Sequence, residues 1–116
     1  ALSADSTSNF TTAPAIIDSV TGLMWQDNGY ETTHTWSSAL SYCNGLPLAN
    51  FSDWRLPTKD ELIGLYNRRS ILSSYATSDY WSATEVNASD AYLIDFGSGS
   101  EDQFAKSFDY FVRCIR

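Results

Sequence analysis

The stretch Ser52-Asp53-Trp54-Arg55-Leu56-Pro57-Thr58-Lys59-Asp60-Glu61-Leu62 constrains the fold more than any other part of the chain. Pro57 biases Leu56 toward an extended backbone and has no N–H to offer a ladder, so a strand-like segment must stop there. Trp54 and Leu56 then point to one side and Arg55 to the other. Thr58 followed three residues later by Glu61 is a capping box, with the hydroxyl serving one backbone N–H and the carboxylate reaching back to the other. Leu62, Ile63, Leu65 and Tyr66 follow at the spacing of one helical face, which predicts a helix from Lys59 to about Arg68. A buried extended segment running straight into a capped helix is scaffold and carries no chemistry by itself.

The rest of the chain sorts around it. Ala1 to Pro14 is rich in Ser, Thr, Ala and Asp and reads as a linker or tether, with a short edge strand near Phe10. The folded domain is expected over residues 15–116. Ala15 to Val20, turn chemistry at Asp18 to Gly22, and the apolar run Leu23-Met24-Trp25-Gln26 read as a hairpin that places Trp25 in the core. Asp27-Asn28-Gly29 is a turn signal. Thr35 is positioned to cap a first helix, in which Trp36, Ala39, Leu40 and Cys43 recur at i, i+3, i+4 and i+7 before Gly45 stops it. Beyond an irregular polar region from Ser70 to Asp79, the pattern changes to strands: Tyr80 to Thr84, Ala91 to Phe96, Glu101 to Lys106, and Tyr110 to Ile115 closing the sheet. Gly97-Ser98-Gly99-Ser100 supplies a hairpin loop. Early helices and a late strand meander predict an α+β domain.

With 116 residues the chain is long enough for one hydrophobic core without metal support. Seven Lys and Arg against fourteen Asp and Glu give a net charge of −7, which opposes nucleic acid and anionic membrane surfaces as partners. No apolar run approaches the roughly 20 residues that span a bilayer. The chain starts at Ala1 without a signal-peptide pattern and is read as a mature or excised piece of a longer protein. Cys43 and Cys114 fit no zinc or redox spacing, which leaves a disulfide or two buried thiols. A bond between them would close a loop of about 70 residues, contribute roughly 4 kcal/mol, and place the domain outside the cytosol.

Several segments line up with a known family: Thr21-Gly22-Leu23-Met24-Trp25-Gln26, Trp36-Ser37-Ser38-Ala39-Leu40 through Cys43, Asp53-Trp54-Arg55-Leu56-Pro57-Thr58, Glu61-Leu62, Tyr80-Trp81-Ser82-Ala83-Thr84, and Val112-Arg113-Cys114-Ile115-Arg116. In this order they resemble the Lcl C-terminal domain family, named after a bacterial collagen-like adhesin, from about Asp18 to the last residue. The resemblance implies a C-type-lectin-like fold, two helices flanking a twisted, mostly antiparallel sheet with the termini close together. It implies pairing of Cys43 with Cys114, and a place at the C-terminal end of bacterial surface or secreted proteins that serve attachment. Members related to the collagen-like adhesin are associated with sulfated polysaccharides. The same fold serves variable ligand-binding tips and, more distantly, formylglycine-generating enzymes, so fold alone decides no function.

No catalytic constellation accompanies the scaffold. His34, the single histidine, has Thr33 and Thr35 as neighbours and reads as a solvated loop residue before the first helix. The oxidase-like enzyme reading finds no evident match for the catalytic cysteines of those relatives. Arg55, Lys59, Arg68 and Arg69 form the single basic cluster, read as helix-end charge and solubility before anion binding. From Asp79 to Asp102, by contrast, the chain carries Asp79, Glu85, Asp90, Asp95, Glu101 and Asp102 and no Lys or Arg. Such a pole is either a solvated face or a surface for a cation, a basic protein or a neutral sugar. It opposes sulfated polyanions, which need Lys and Arg arrays. The Glu-Pro-Asn or Gln-Pro-Asp and Trp-Asn-Asp triplets of calcium-dependent lectins do not occur, so their calcium–sugar site is not carried over. Calcium is left open, and no other cofactor is implied. The residues nominated for ligand binding are Glu85, Asn87, Asp90, Tyr92, Asp95, Glu101, Asp102, Gln103 and Tyr110. The leading expectation is a non-enzymatic extracellular module that binds a glycan or surface protein. The second is a structural module capping a fibre or homo-trimer.

Overall fold

The computed structural model describes residues 14–29 and 31–116, so the expected tether and its strand near Phe10 lie outside the described residues. The chain forms two helices and a curled, mostly antiparallel sheet, an α+β arrangement. β1 (Ala15–Ile17) and β2 (Met24–Gln26) make the expected hairpin, with Ile16 opposite Trp25. β3 (Thr33–His34), β4 (Asp79–Glu85), β5 (Asp90–Asp95), β6 (Glu101–Ala105) and β7 (Tyr110–Phe111) form a five-stranded sheet in the order β3-β7-β4-β5-β6. α1 (Trp36–Asn44) and α2 (Lys59–Asn67) pack on its two sides. Among the described residues, no helix is long and apolar enough to cross a membrane.

Strand alternation sends neighbours to opposite cores. Trp81 and Leu93 join Ala39, Cys43, Trp54 and Leu56 on the α1 side, while Tyr80 and Ile94 join Trp25, Leu62 and Leu65 on the α2 side. The disulfide between Cys43 and Cys114 ties α1 to the chain end, both sulfurs being fully buried.

The Ser52–Leu62 stretch behaves as its residues dictate. Trp54 and Leu56 are buried and Arg55 is exposed. Thr58 Oγ1 accepts the Glu61 N–H (3.2 Å) and Glu61 Oε1 accepts the Thr58 N–H (2.8 Å), completing the capping box. The extended part is a single bridge and not a full strand. Arg55 exchanges both backbone hydrogen bonds with Ile115 (2.9 Å each), and the other edge of that same tail pairs with β2 through Met24 and Arg116 (2.8 and 2.9 Å). The last residues are therefore inserted between the hairpin and the segment that launches α2.

The final strand is consequently shorter than expected. Instead of one run from Tyr110 to Ile115, β7 stops after Phe111, having paired in parallel with β4 at Tyr80, and the chain leaves the sheet for its second partners. Thr35 stands at the first position before α1, but its hydroxyl caps nothing; the helix start is held from outside, by Lys106 O accepting the Trp36 N–H (3.0 Å). Gly45 ends α1 at φ −98°, without the left-handed turn that requires glycine. His34 is a strand residue and not a solvated loop residue: Thr32 Oγ1 lies 2.7 Å from Nε2, Ser38 Oγ 2.9 Å from Nδ1, and its ring sits 5.0 Å from that of Tyr42.

The turn after β2 is organised by Arg113, whose side chain is only 3% exposed. Its guanidinium donates to Gln26 O (2.6 Å), Ser74 O (2.7 Å) and Asp27 Oδ1 (3.3 Å), and to Glu31 Oε2. Asp27 also accepts the backbone and hydroxyl of Ser73 (3.0–3.1 Å), and Glu31 accepts the Tyr80 hydroxyl (2.6 Å). Burial and the Glu31 carboxylate together push the Tyr80 phenol well above its ordinary range.

Candidate functional site

β4, β5 and β6 lie side by side, and their alternation decides where each acidic residue points. Asp79 stands directly opposite Asp95, and Asp102 stands opposite Leu93, one alternation step away on the same face. One carboxylate oxygen from each of Asp79, Asp95 and Asp102 lies within 4.8 Å of the others. The β5–β6 turn fixes Asp95: its Oδ1 accepts the Gly97 N–H (2.7 Å) and its backbone O accepts the Gly99 N–H (2.6 Å). Gly99 is required there, since φ is +81° and a Cβ would stand 2.5 Å from the Tyr66 ring.

No Lys or Arg pairs with these three carboxylates among the described residues. Asp79 Oδ1 is buried without a hydrogen-bond partner. Burial first, and then the Asp102 and Asp95 carboxylates, push the Asp79 carboxyl up to about 7. Tyr110 borders the group. Burial, then the charges of Asp79 and Asp102, raise its phenol. Its ring stacks on Phe104 at 5.2 Å and meets Trp81 edge-on at 5.4 Å, and both Tyr110 and Phe104 keep part of their surface open. The face thus offers acceptor-only oxygens beside an aromatic platform. It can take hydrogen bonds from hydroxyl or ammonium groups, and its three oxygens could begin a cation shell; calcium takes about six to eight, so water or a ligand would supply the rest.

The residues nominated from the sequence divide into three places. Asp95, Asp102 and Tyr110 come together on this face. Tyr92, Glu101 and Gln103 share the opposite face, where Lys59 Nζ sits 4.4 Å from the Tyr92 ring centre and 3.3 Å from Glu101. Glu85, Asn87 and Asp90 belong to the β4–β5 turn: Glu85 pairs with Lys106 (2.5 Å), and Asn87 Oδ1 accepts the Ser89 and Asp90 N–H groups (2.8 Å each). Asp79 and Phe104 complete the face but were not nominated. The signal that could have found Asp79 was its place at the start of one strand opposite Asp95 at the end of the next. The basic cluster expected around α2 is dispersed: Arg55 pairs with Glu61, Lys59 with Glu101 and Arg68 with Asp18, while Arg69 lies over the Tyr66 ring.

The family model for the Lcl C-terminal domain matches residues 14–116. The chain belongs to this family. No curated protein matches it. The segments that carry the resemblance to the Lcl C-terminal domain are mostly packing residues: Trp25, Ala39, Cys43, Trp54, Leu56, Leu62, Trp81, Val112, Cys114 and Ile115 are all buried. Membership therefore speaks for the scaffold, and the carboxylate face must be judged by its own chemistry.

Proposed function

We propose that this chain is the adhesin-type recognition domain of a bacterial surface or secreted protein, C-type-lectin-like in fold and non-enzymatic. It binds a glycan or surface protein through the face formed by Asp79, Asp95, Asp102, Phe104 and Tyr110. The observation that carries this reading is the convergence of three carboxylates beside an open aromatic pair, with no Lys or Arg among the described residues paired to them. Aromatic rings take the apolar faces of sugars or side chains, while a few fixed polar groups set orientation. The acidity favours neutral or amine-bearing glycans and basic protein surfaces over sulfated polysaccharide. Family membership and a disulfide of the kind that persists in oxidising compartments support the extracellular setting.

A glycan array and a pull-down from host-surface extracts, each with and without calcium, test the proposal. Binding is expected to fall at least tenfold in Asp102→Asn and Tyr110→Ala. Ligands whose capture both variants leave unchanged, or equal capture of sulfated polyanions, would place recognition elsewhere.

A further inference from the structure

A cavity of about 230 Å3 lies between the β1–β2 hairpin and α2, and it shares no residue with the carboxylate face. Leu23 and Trp25 line it from the hairpin, Gly64 and Arg68 from the helix, and Asp18 and Asp60 lie among its remaining lining; the accessible wall is almost wholly apolar. Its size narrows the guest. An apolar cavity of about 150 Å3 holds benzene, and drug-sized ligands fill about 300–1,000 Å3, so this one suits a single large side chain.

Gly64, part of the lining, leaves room for the Arg68 guanidinium. Glycine inside a helix is unfavourable against alanine, and here a Cβ would stand 3.0 Å from Nη2 of Arg68. Without it, Arg68 folds across the helix and binds Asp18 Oδ2 through Nε (2.8 Å) and Nη2 (2.7 Å). That pairing neutralises Asp18, and Arg55 neutralises Glu61. Asp60 is the exception: exposed, in the first turn of α2, and without an ion pair among the described residues. The hairpin that walls the cavity also leaves Ile17 58% and Val20 71% exposed, the two most exposed large apolar side chains among the described residues.

We propose that this cavity takes one cationic side chain, lysine or arginine, from an apolar segment of a partner protein. The aliphatic stem would lie on Leu23 and Trp25, as long basic side chains bury their stems and keep the charge wet. The head group would meet Asp60, and the flanking apolar residues of the partner would cover Ile17 and Val20. This is a second interface, independent of ligand binding at the carboxylate face.

The test is a heteronuclear NMR titration of the whole chain with acetylated, amidated Leu-Lys-Leu, alongside the same peptide carrying norleucine or glutamate at its centre. The lysine peptide is expected to shift the Gly64 amide and the Trp25 indole N–H saturably, the norleucine peptide more weakly and the glutamate peptide not at all. Asp60→Asn should weaken the lysine peptide about two- to fivefold, the range of an exposed charge pair, and leave the norleucine peptide unchanged. Gly64→Leu should abolish both by filling the cavity. Should that variant not fold, Asp60→Lys, at an exposed position, should turn the preference toward the glutamate peptide. No saturable shift at Gly64 and Trp25, or equal shifts from all three peptides, would overturn the proposal.

Discussion

Asp27 and Glu31 meet around Arg113, whereas Asp79, Asp95 and Asp102 meet with no Lys or Arg beside them among the described residues. Both are groups of carboxylates gathered by folding, and both are partly or fully withdrawn from water. In the first, a buried guanidinium and the Ser73 and Tyr80 donors occupy the oxygens, and the result is a clasp that joins the loop after β2 to the tail that follows β7. In the second the repulsion is left standing and, after burial, helps to push the Asp79 carboxyl up to about 7. Compensated carboxylates are structure; uncompensated ones are the natural place for a ligand to add stability.

The largest effect should come from taking the counter-charge out of the clasp. Arg113→Ala leaves the buried Asp27 and the part-buried Glu31 without a counter-charge and is expected to cost about 3–5 kcal/mol, read from urea unfolding. A loss under about 1 kcal/mol would mean that water replaces the guanidinium. Reduction of the neighbouring Cys43–Cys114 bond, across a separation of 71 residues, should cost roughly 4 kcal/mol and appear as a lower melting temperature in dithiothreitol.

The open cluster should respond in the opposite sense. The Asp79 carboxyl is raised from 3.8 to about 7, so the folded state holds this proton more tightly than the unfolded chain does. Its contribution is therefore most favourable below about pH 4, declines as pH rises toward about 7, and is flat above that. Asp79→Asn is expected to raise the melting temperature by a few degrees at pH 8 and to flatten its dependence on pH in that window. A steeper slope in the variant would show that Asp79 is not the titrating group. Asp18, held low chiefly by its hydrogen bond to Arg68, acts oppositely: its stabilisation is lost only as pH falls below the ordinary aspartate range, so the two windows separate.

Asp102→Lys would supply the open cluster with a cation of its own and make it resemble the clasp. Thermal unfolding should move upward at pH 8, while ligand capture at this face is lost; retained capture would separate recognition from the carboxylates. The smallest change should be Arg55→Ala, which opens a half-exposed pair with Glu61 and is expected to cost under about 1 kcal/mol in the same urea assay.

Much of the scaffold was legible from residues alone because the signals are local. A proline, a capping box and a helical apolar stripe act within a few positions, so α2 appears within a residue of its expected end. Alternation likewise places Tyr80 and Trp81 on opposite cores. The misjudged elements each depend on a distant partner: the Thr35 cap is replaced by Lys106, and the last strand is cut short by pairing with Arg55 and Met24.

The site divides in the same way. That acidic residues crowd the segment from Asp79 to Asp102 without Lys or Arg is a property of the chain as written. Which of them converge depends on strand register, and a shift of one residue would have turned every one to the other face. Only the tertiary structure could bring Asp79 beside Asp95 and Asp102, send Glu101 to Lys59 and Glu85 to Lys106, and bury Arg113 between Asp27 and Glu31. The physical reason is that charge is counted along the chain but compensated through space.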